Sequence, residues 1–179
     1  MALRDHIKEN HDLAERHPFV KLLFSGGVSS ELYADYLFNQ YVMYNKLESL
    51  ALEKGLLDGV EEVVRSELML EDLIELNQHG MKLRSTTMGY IKYLQERVPE
   101  NKIMAHIYVR HFGDLFGGQL MKKVIPGSGK MYDFENRSEL IKKLRERLDD
   151  SLADEANEVM IWAIALFSEL AYDYDIQWS

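Results

Sequence analysis

Apolar residues in this chain recur three or four positions apart and hardly ever alternate, which is the period of a helix face rather than of a strand. Leu3 to Arg16 reads as a polar amphipathic helix, broken at His17-Pro18. Proline lacks the amide donor and suits the first turn of a short helix, Phe19 to Phe24, that Gly26-Gly27 ends. Ser29 or Ser30 then caps a long helix to about Lys54, with Leu32, Tyr33, Tyr36, Leu37, Tyr41, Tyr44 and Leu47 turned inward and Gly55 as its stop. The pattern predicts further helices over Val60 to about His79, Thr86 to Val98, about Asn101 to Ile125, and Ser138 to Asp150. Between the last two, Pro126-Gly127-Ser128-Gly129 opens an irregular stretch that keeps Tyr132 and Phe134 as anchors. The final helix, Ala153 to Tyr172, is apolar almost all round in its middle and is expected to be a central buried element. The sum is an all-α, single-domain bundle spanning 1–179, with roughly seven or eight helices by pattern alone.

Composition narrows this picture. A net charge of −9 argues against nucleic acid as a partner, since neutralising phosphates needs a basic surface. Cysteine is absent, which removes disulfides, thiolate metal sites and cysteine nucleophiles and fits a cytoplasmic setting. The N-terminus is too charged for a signal peptide, and the longest apolar run, Val159 to Phe167, is about half of a bilayer span. The chain is therefore expected to be soluble, with no membrane contact.

Two stretches stand out chemically. In Ala105 to Lys123 three glycines, Gly113, Gly117 and Gly118, interrupt a helix, although each interior glycine costs ~1 kcal/mol relative to alanine. Gly113 and Gly117 lie at i and i+4 and bare one strip of backbone, while Arg110 and Asp114 form a charged i, i+4 pair on the same arc. The strip accommodates either tight packing against another helix or a flat group lying on the backbone. Near the N-terminus Arg4, Lys8, His11 and Glu15 share one helical stripe. An acid at i+4 can hold one imidazole nitrogen and leave the other to a metal, and the two bases can meet carboxylates. The stripe is equally compatible with a solvated charged face. Read functionally, it asks for a flat ligand with a metal centre and acidic edges, a description that haem meets. No Glu-x-x-His pair, nucleophile elbow, Walker loop or dinucleotide fingerprint is present.

Taken together, the motifs resemble those of the heme oxygenase family. His11-Asp12-Leu13-Ala14-Glu15 followed by Pro18-Phe19 and Gly26 is similar to the family's opening, and Tyr41-Val42-Met43-Tyr44 with Leu47-Glu48 to its next helix. Tyr108 to Gln119 resembles the distal-helix signature Y-x-R-x-x-G-D-L-x-G-G-Q, the most specific of the matches. Glu155-Ala156-Asn157 and Leu166 to Leu170 are similar to its closing helix. The resemblance implies haem held between a proximal N-terminal helix and a glycine-kinked distal helix. His11 would be the iron ligand with Glu15 on its other nitrogen, and Arg4, Lys8 and Tyr108 would lie near the propionates. Gly113, Gly117 and Gly118 would allow close approach to the haem face. Asp114, Arg110 and Tyr44 would hold water beside dioxygen. The implied reaction uses O2 and an external reductant, a ferredoxin or a reductase, and releases biliverdin, CO and ferrous iron. A basic patch around Arg4, Lys8, Lys122 and Lys123 would receive such a donor. Two departures stand: Phe116 where the family commonly has serine, and Leu144-Arg145 where Tyr-Arg is common, with Arg145 as a third propionate partner. The alternative is a non-catalytic haem carrier or sensor, for which the His11 stripe suffices.

Overall fold

A computed structural model describes residues 2–178. Among the described residues there are nine α-helices and no strand. These are α1 (Leu3–His6), α2 (Lys8–Glu15), α3 (Pro18–Ser25), α4 (Ser30–Glu53), α5 (Ser66–Leu76), α6 (Ser85–Glu96), α7 (Ile103–Val124), α8 (Arg137–Arg145) and α9 (Ala153–Asp173). Four short 3₁₀ turns, at Glu61–Val63, Glu100–Lys102, Lys130–Tyr132 and Asp150–Leu152, join them. Helix α7 packs on both α4 and α9, α5 packs on α4, and α6 packs on α4 and α9. The core is a continuous cluster that includes Tyr33, Leu37, Leu47, Tyr90, Ile107, Leu115 and Leu144.

Local chemistry sets the ends of the longest early helices. The Ser29 hydroxyl accepts from the Leu32 amide at 3.1 Å to open α4, and Gly55, at φ +70°, follows its end. The His17 ring accepts from the Phe19 amide at 3.1 Å and opens α3, which Gly26 stops at φ +79°.

Elsewhere tertiary contacts change the boundaries. The expected helix over Leu3 to Arg16 is interrupted at Ile7, whose side chain is buried in the core. Asn157 of α9 donates to the freed His6 carbonyl at 3.1 Å, and the Asn10 side chain donates to Asn157 at 2.8 Å. With Ile7 at one end and buried His17 at the other, near Ser168 at 3.1 Å, α2 hangs between two fixed points on α9. The helix expected from Val60 starts only at Ser66, because its first amides are met by the buried Glu48 carboxylate rather than by a local cap. Helix α8 stops at Arg145, short of the expected Asp150. Helix α9 is less buried than its composition suggests: Ile161 is exposed, and Trp162 to Ala165 are half-covered. A helix is covered only where a neighbour crosses it, and apolar content does not decide that.

Candidate functional site

Two groups of side chains, on α2 and on α7, make up the site. On α2, His11 and Glu15 project from the same face, with Nδ1 of the ring 3.7 Å from Glu15 Oε1, and both side chains are more than half exposed. That spacing keeps an acid beside Nδ1, the arrangement that leaves Nε2 as the nitrogen for a metal. Asp12 offers a third oxygen in the same neighbourhood but also takes the Lys8 ammonium at 2.5 Å. Lys8, expected near the propionates, is thus engaged along its own helix. Arg4, in contrast, lies close enough to Tyr108 to act on it electrostatically, as does Arg145. Burial pushes the Tyr108 hydroxyl pKa up and the two arginines pull it down. Three of the four residues expected at the acidic edge of a flat ligand are therefore brought together.

On α7 the helical hydrogen bonding runs unbroken through all three glycines. These differ in what they face. A Cβ placed on Gly113 or on Gly117 would meet nothing within 4 Å, so the bare strip opens onto free space. At Gly118 the same Cβ would fall 2.6 Å from the Tyr132 ring, so this glycine makes room for a core tyrosine. Gly118 thus answers to packing, while Gly113 and Gly117 leave open the space that a flat group would need. A cradle over Gly113 and Gly117 that a Cβ would fill, together with an exposed imidazole on α2, fits a planar metal-bearing group such as haem.

Beside the strip, the Tyr44 hydroxyl lies 2.7 Å from Asp114 Oδ2, to which it donates, and 3.1 Å from the Arg110 carbonyl oxygen. Burial raises the Asp114 pKa to about 6, against the opposing charges of His111 and Arg65 and the Tyr44 hydrogen bond. A carboxyl so placed exchanges its proton near neutral pH. Arg110 is buried and donates from Nε to the Tyr90 hydroxyl at 3.1 Å and from Nη1 to Gln40 at 3.2 Å. Its guanidinium carbon sits 4.3 Å over the Tyr90 ring, and Nη2 has no protein partner. The hydrogen bonding continues from Tyr90 to His106 at 2.6 Å and from His106 to Glu155 at 2.7 Å. Arg110 is thereby a fixed cation with one unmet donor, and both it and Asp114 act electrostatically on Tyr44.

Three residues of this neighbourhood escaped the motif analysis as site residues. Arg137 donates to the Leu115 carbonyl and, with Arg145, stands over the Phe116 ring, at 5.4 and 5.5 Å. Phe116, larger than the serine common in the family, is half-exposed and carries these two cations. Glu48 and His111 form a buried pair at 2.8 Å behind Asp114. One signal for Glu48 was available: an acid four residues after inward-facing Tyr44 on a helix whose next inward residues are apolar.

Residues 1–166 match the model of the family described as heme oxygenase. The chain is 28% identical to heme oxygenase 2 of Rattus norvegicus over 94% of its own length, and it spans 64% of that relative's length. Its fold is similar to that of a heme oxygenase from Leptospira interrogans, with a TM-score of 0.81, 26% identity, and coverage of 94% of this chain and all of that one. It is also similar to heme oxygenase-1 of the cyanobacterium Synechocystis, a structure solved in complex with heme, with a TM-score of 0.83, 24% identity, and coverage of 96% and 91%.

Proposed function

The chain belongs to the heme oxygenase family, and on that premise we propose that it is an enzyme that opens haem oxidatively, using O2 and electrons from an external donor and releasing biliverdin, CO and ferrous iron. The observation that carries this reading is the titratable Asp114 carboxyl beside the bare Gly113/Gly117 strip. A carrier has no use for it. Haem, when bound, supplies the iron that activates dioxygen and the ring carbon that is oxidised.

The protein's own part is positioning and proton handling. His11 offers Nε2 to the iron, and Glu15 beside Nδ1 favours the tautomer that leaves Nε2 free. Glycine backbone at positions 113 and 117 leaves room for a flat ring and places no side-chain acid directly over it. Tyr44 holds Asp114 by a hydrogen bond to Oδ2, so the other carboxylate oxygen is free to anchor water. Arg110 adds a fixed positive charge and an unmet N–H near Tyr44. Arg4, Arg145 and Tyr108 suit the propionates, and Arg137 adds a further cation at Phe116. No helix among the described residues is long and apolar enough to cross a membrane. For an acidic donor, Arg4 and Lys123 remain from the expected patch, since Lys8 is paired with Asp12 and Lys122 with Asp133.

Hemin and ascorbate under air test the reading. The expected outcome is replacement of the Soret band by bilin absorbance. A Soret band that persists with no bilin assigns the protein to the carriers.

A further inference from the structure

We propose that His111, held on Glu48, is a positioning residue whose protonation controls that of Asp114, an inference that rests on the proposed role of Asp114 in haem opening. The pair lies behind the reaction site, 63 residues apart in sequence, with Nε2 of His111 2.8 Å from Glu48 Oε2. Both side chains are buried. Glu48 also accepts from the backbone amides of Arg65 at 2.6 Å and Ser66 at 3.0 Å, which start α5. Burial alone would raise the Glu48 pKa, but its bonds to His111 and to these amides leave it below the usual carboxylate range. An ionised carboxylate only accepts, so His111 presents N–H at Nε2. The proton that His111 gains or loses is then the one on Nδ1.

Nδ1 is buried and has no hydrogen-bond partner. A neutral ring leaves its lone pair unmet, whereas a protonated ring gains the charge of Glu48 at the cost of an unmet donor. Coupling of the imidazole to Asp114 runs through one residue: the Tyr44 ring packs against His111 with centroids 4.7 Å apart, and the Tyr44 hydroxyl donates to Asp114 at 2.7 Å. On α7, His111 and Asp114 are also i, i+3 neighbours.

The other charged or titratable groups facing this pair do not change state near neutrality. From α4, Tyr36 is pushed up to about 12 by burial, and Tyr44 lies well above the ordinary value for the same reason. Tyr132, before α8, is likewise raised by burial. Arg65, ahead of α5, and Arg110 on α7 stay cationic, and Glu48 stays an anion. Asp114, raised to about 6 by burial, exchanges its proton near neutrality, and the charge of His111 acts against that rise. A cation at His111 favours the Asp114 carboxylate, and loss of that cation favours the acid.

Titration of the haem-free protein by NMR tests this, reading the Asp114 carboxyl carbon and the His111 ring nitrogens. In the wild type the two signals share their inflections, as coupled sites do. His111→Gln keeps an N–H donor for Glu48 and removes the titratable charge. Its Asp114 midpoint is expected to rise by roughly one pH unit, the lower end of what a close charge produces, and to follow a single step. An unchanged midpoint overturns the proposal. Should the glutamine variant fail to fold, the wild type decides alone: shared inflections support the coupling, and an Asp114 step over which the His111 ring stays constant refutes it. Because no haem is present, this outcome is separate from that of the hemin assay.

Discussion

Helix α2 and helix α7 carry the two faces of the candidate site, and they are built on opposite plans. The His11 and Glu15 side chains on α2 are 53% and 65% exposed and pair with each other along their own helix. The helix itself is fixed, through Ile7, Asn10 and His17, but the functional side chains are not. On α7, Arg110 and His111 are buried and Asp114 is half-buried, and each is engaged by residues of α4, α6 or the entry to α5. The difference follows from the chemistry proposed for each. A metal–nitrogen bond brings its own energy and direction, so a ligand can be offered on an open surface. A carboxyl that must exchange protons near neutrality has to be desolvated and held, and only several packed elements can do both.

The comparison can be broken first at the proximal face. His11→Ala is expected to abolish the histidine-ligated haem spectrum while changing unfolding free energy by no more than about 0.5 kcal/mol, as exposed positions do. Hemin titration and chemical denaturation check the two halves. An unchanged spectrum would move the iron ligand elsewhere.

At the distal face the expected effects are smaller on binding and larger on chemistry. Asp114→Asn keeps the acceptor for Tyr44 and should retain hemin, while bilin formation falls by roughly 10²-fold. The folded protein holds the Asp114 proton more tightly than the unfolded chain, with a pKa of about 6 against 3.8. Wild-type stability therefore falls, relative to the asparagine variant, as pH rises from 3.8 to about 6. Partial contact with solvent limits the loss to on the order of 2 kcal/mol. Parallel denaturation curves at pH 4 and 7 read it, and a wild type that holds or gains stability relative to the variant as pH rises contradicts it.

The glycines sharpen the contrast within α7. Gly118→Ala should cost ~1–3 kcal/mol because Tyr132 has to move. Gly113→Ala or Gly117→Ala should leave the haem-free protein as stable or up to ~1 kcal/mol more so, by helix propensity, while weakening hemin binding. Equal destabilisation at all three would remove the distinction between packing and ligand glycines. The smallest effect belongs to Lys8→Ala: Asp12 already holds this side chain, so hemin affinity should drop less than in Arg4→Ala.

Most of the fold was legible in periodicity, and its errors are instructive. Helix α4 was readable at both ends and along its inward face, since Ser29, Gly55 and the Leu/Tyr spacing act locally. The break at Ile7 was not, because it depends on Asn157 some 150 residues away. Neither was the late start of α5, where Glu48 takes over as the cap. Of the site, His11 with Glu15 and Gly113 with Gly117 were readable because an i, i+4 spacing places both members on one face whatever surrounds them. Gly118 looked like its neighbours, and only the position of Tyr132 separates its role from theirs.

The sequence by itself determined the helical period, the caps, the residues that share a helix face and the chemistry those faces can offer. The tertiary structure decided which faces meet. Tyr44 and Asp114 lie 70 residues apart, and Glu48 and His111 lie 63 apart. Their proton affinities depend on burial and neighbouring charge, which are properties of packing and are absent from any local pattern.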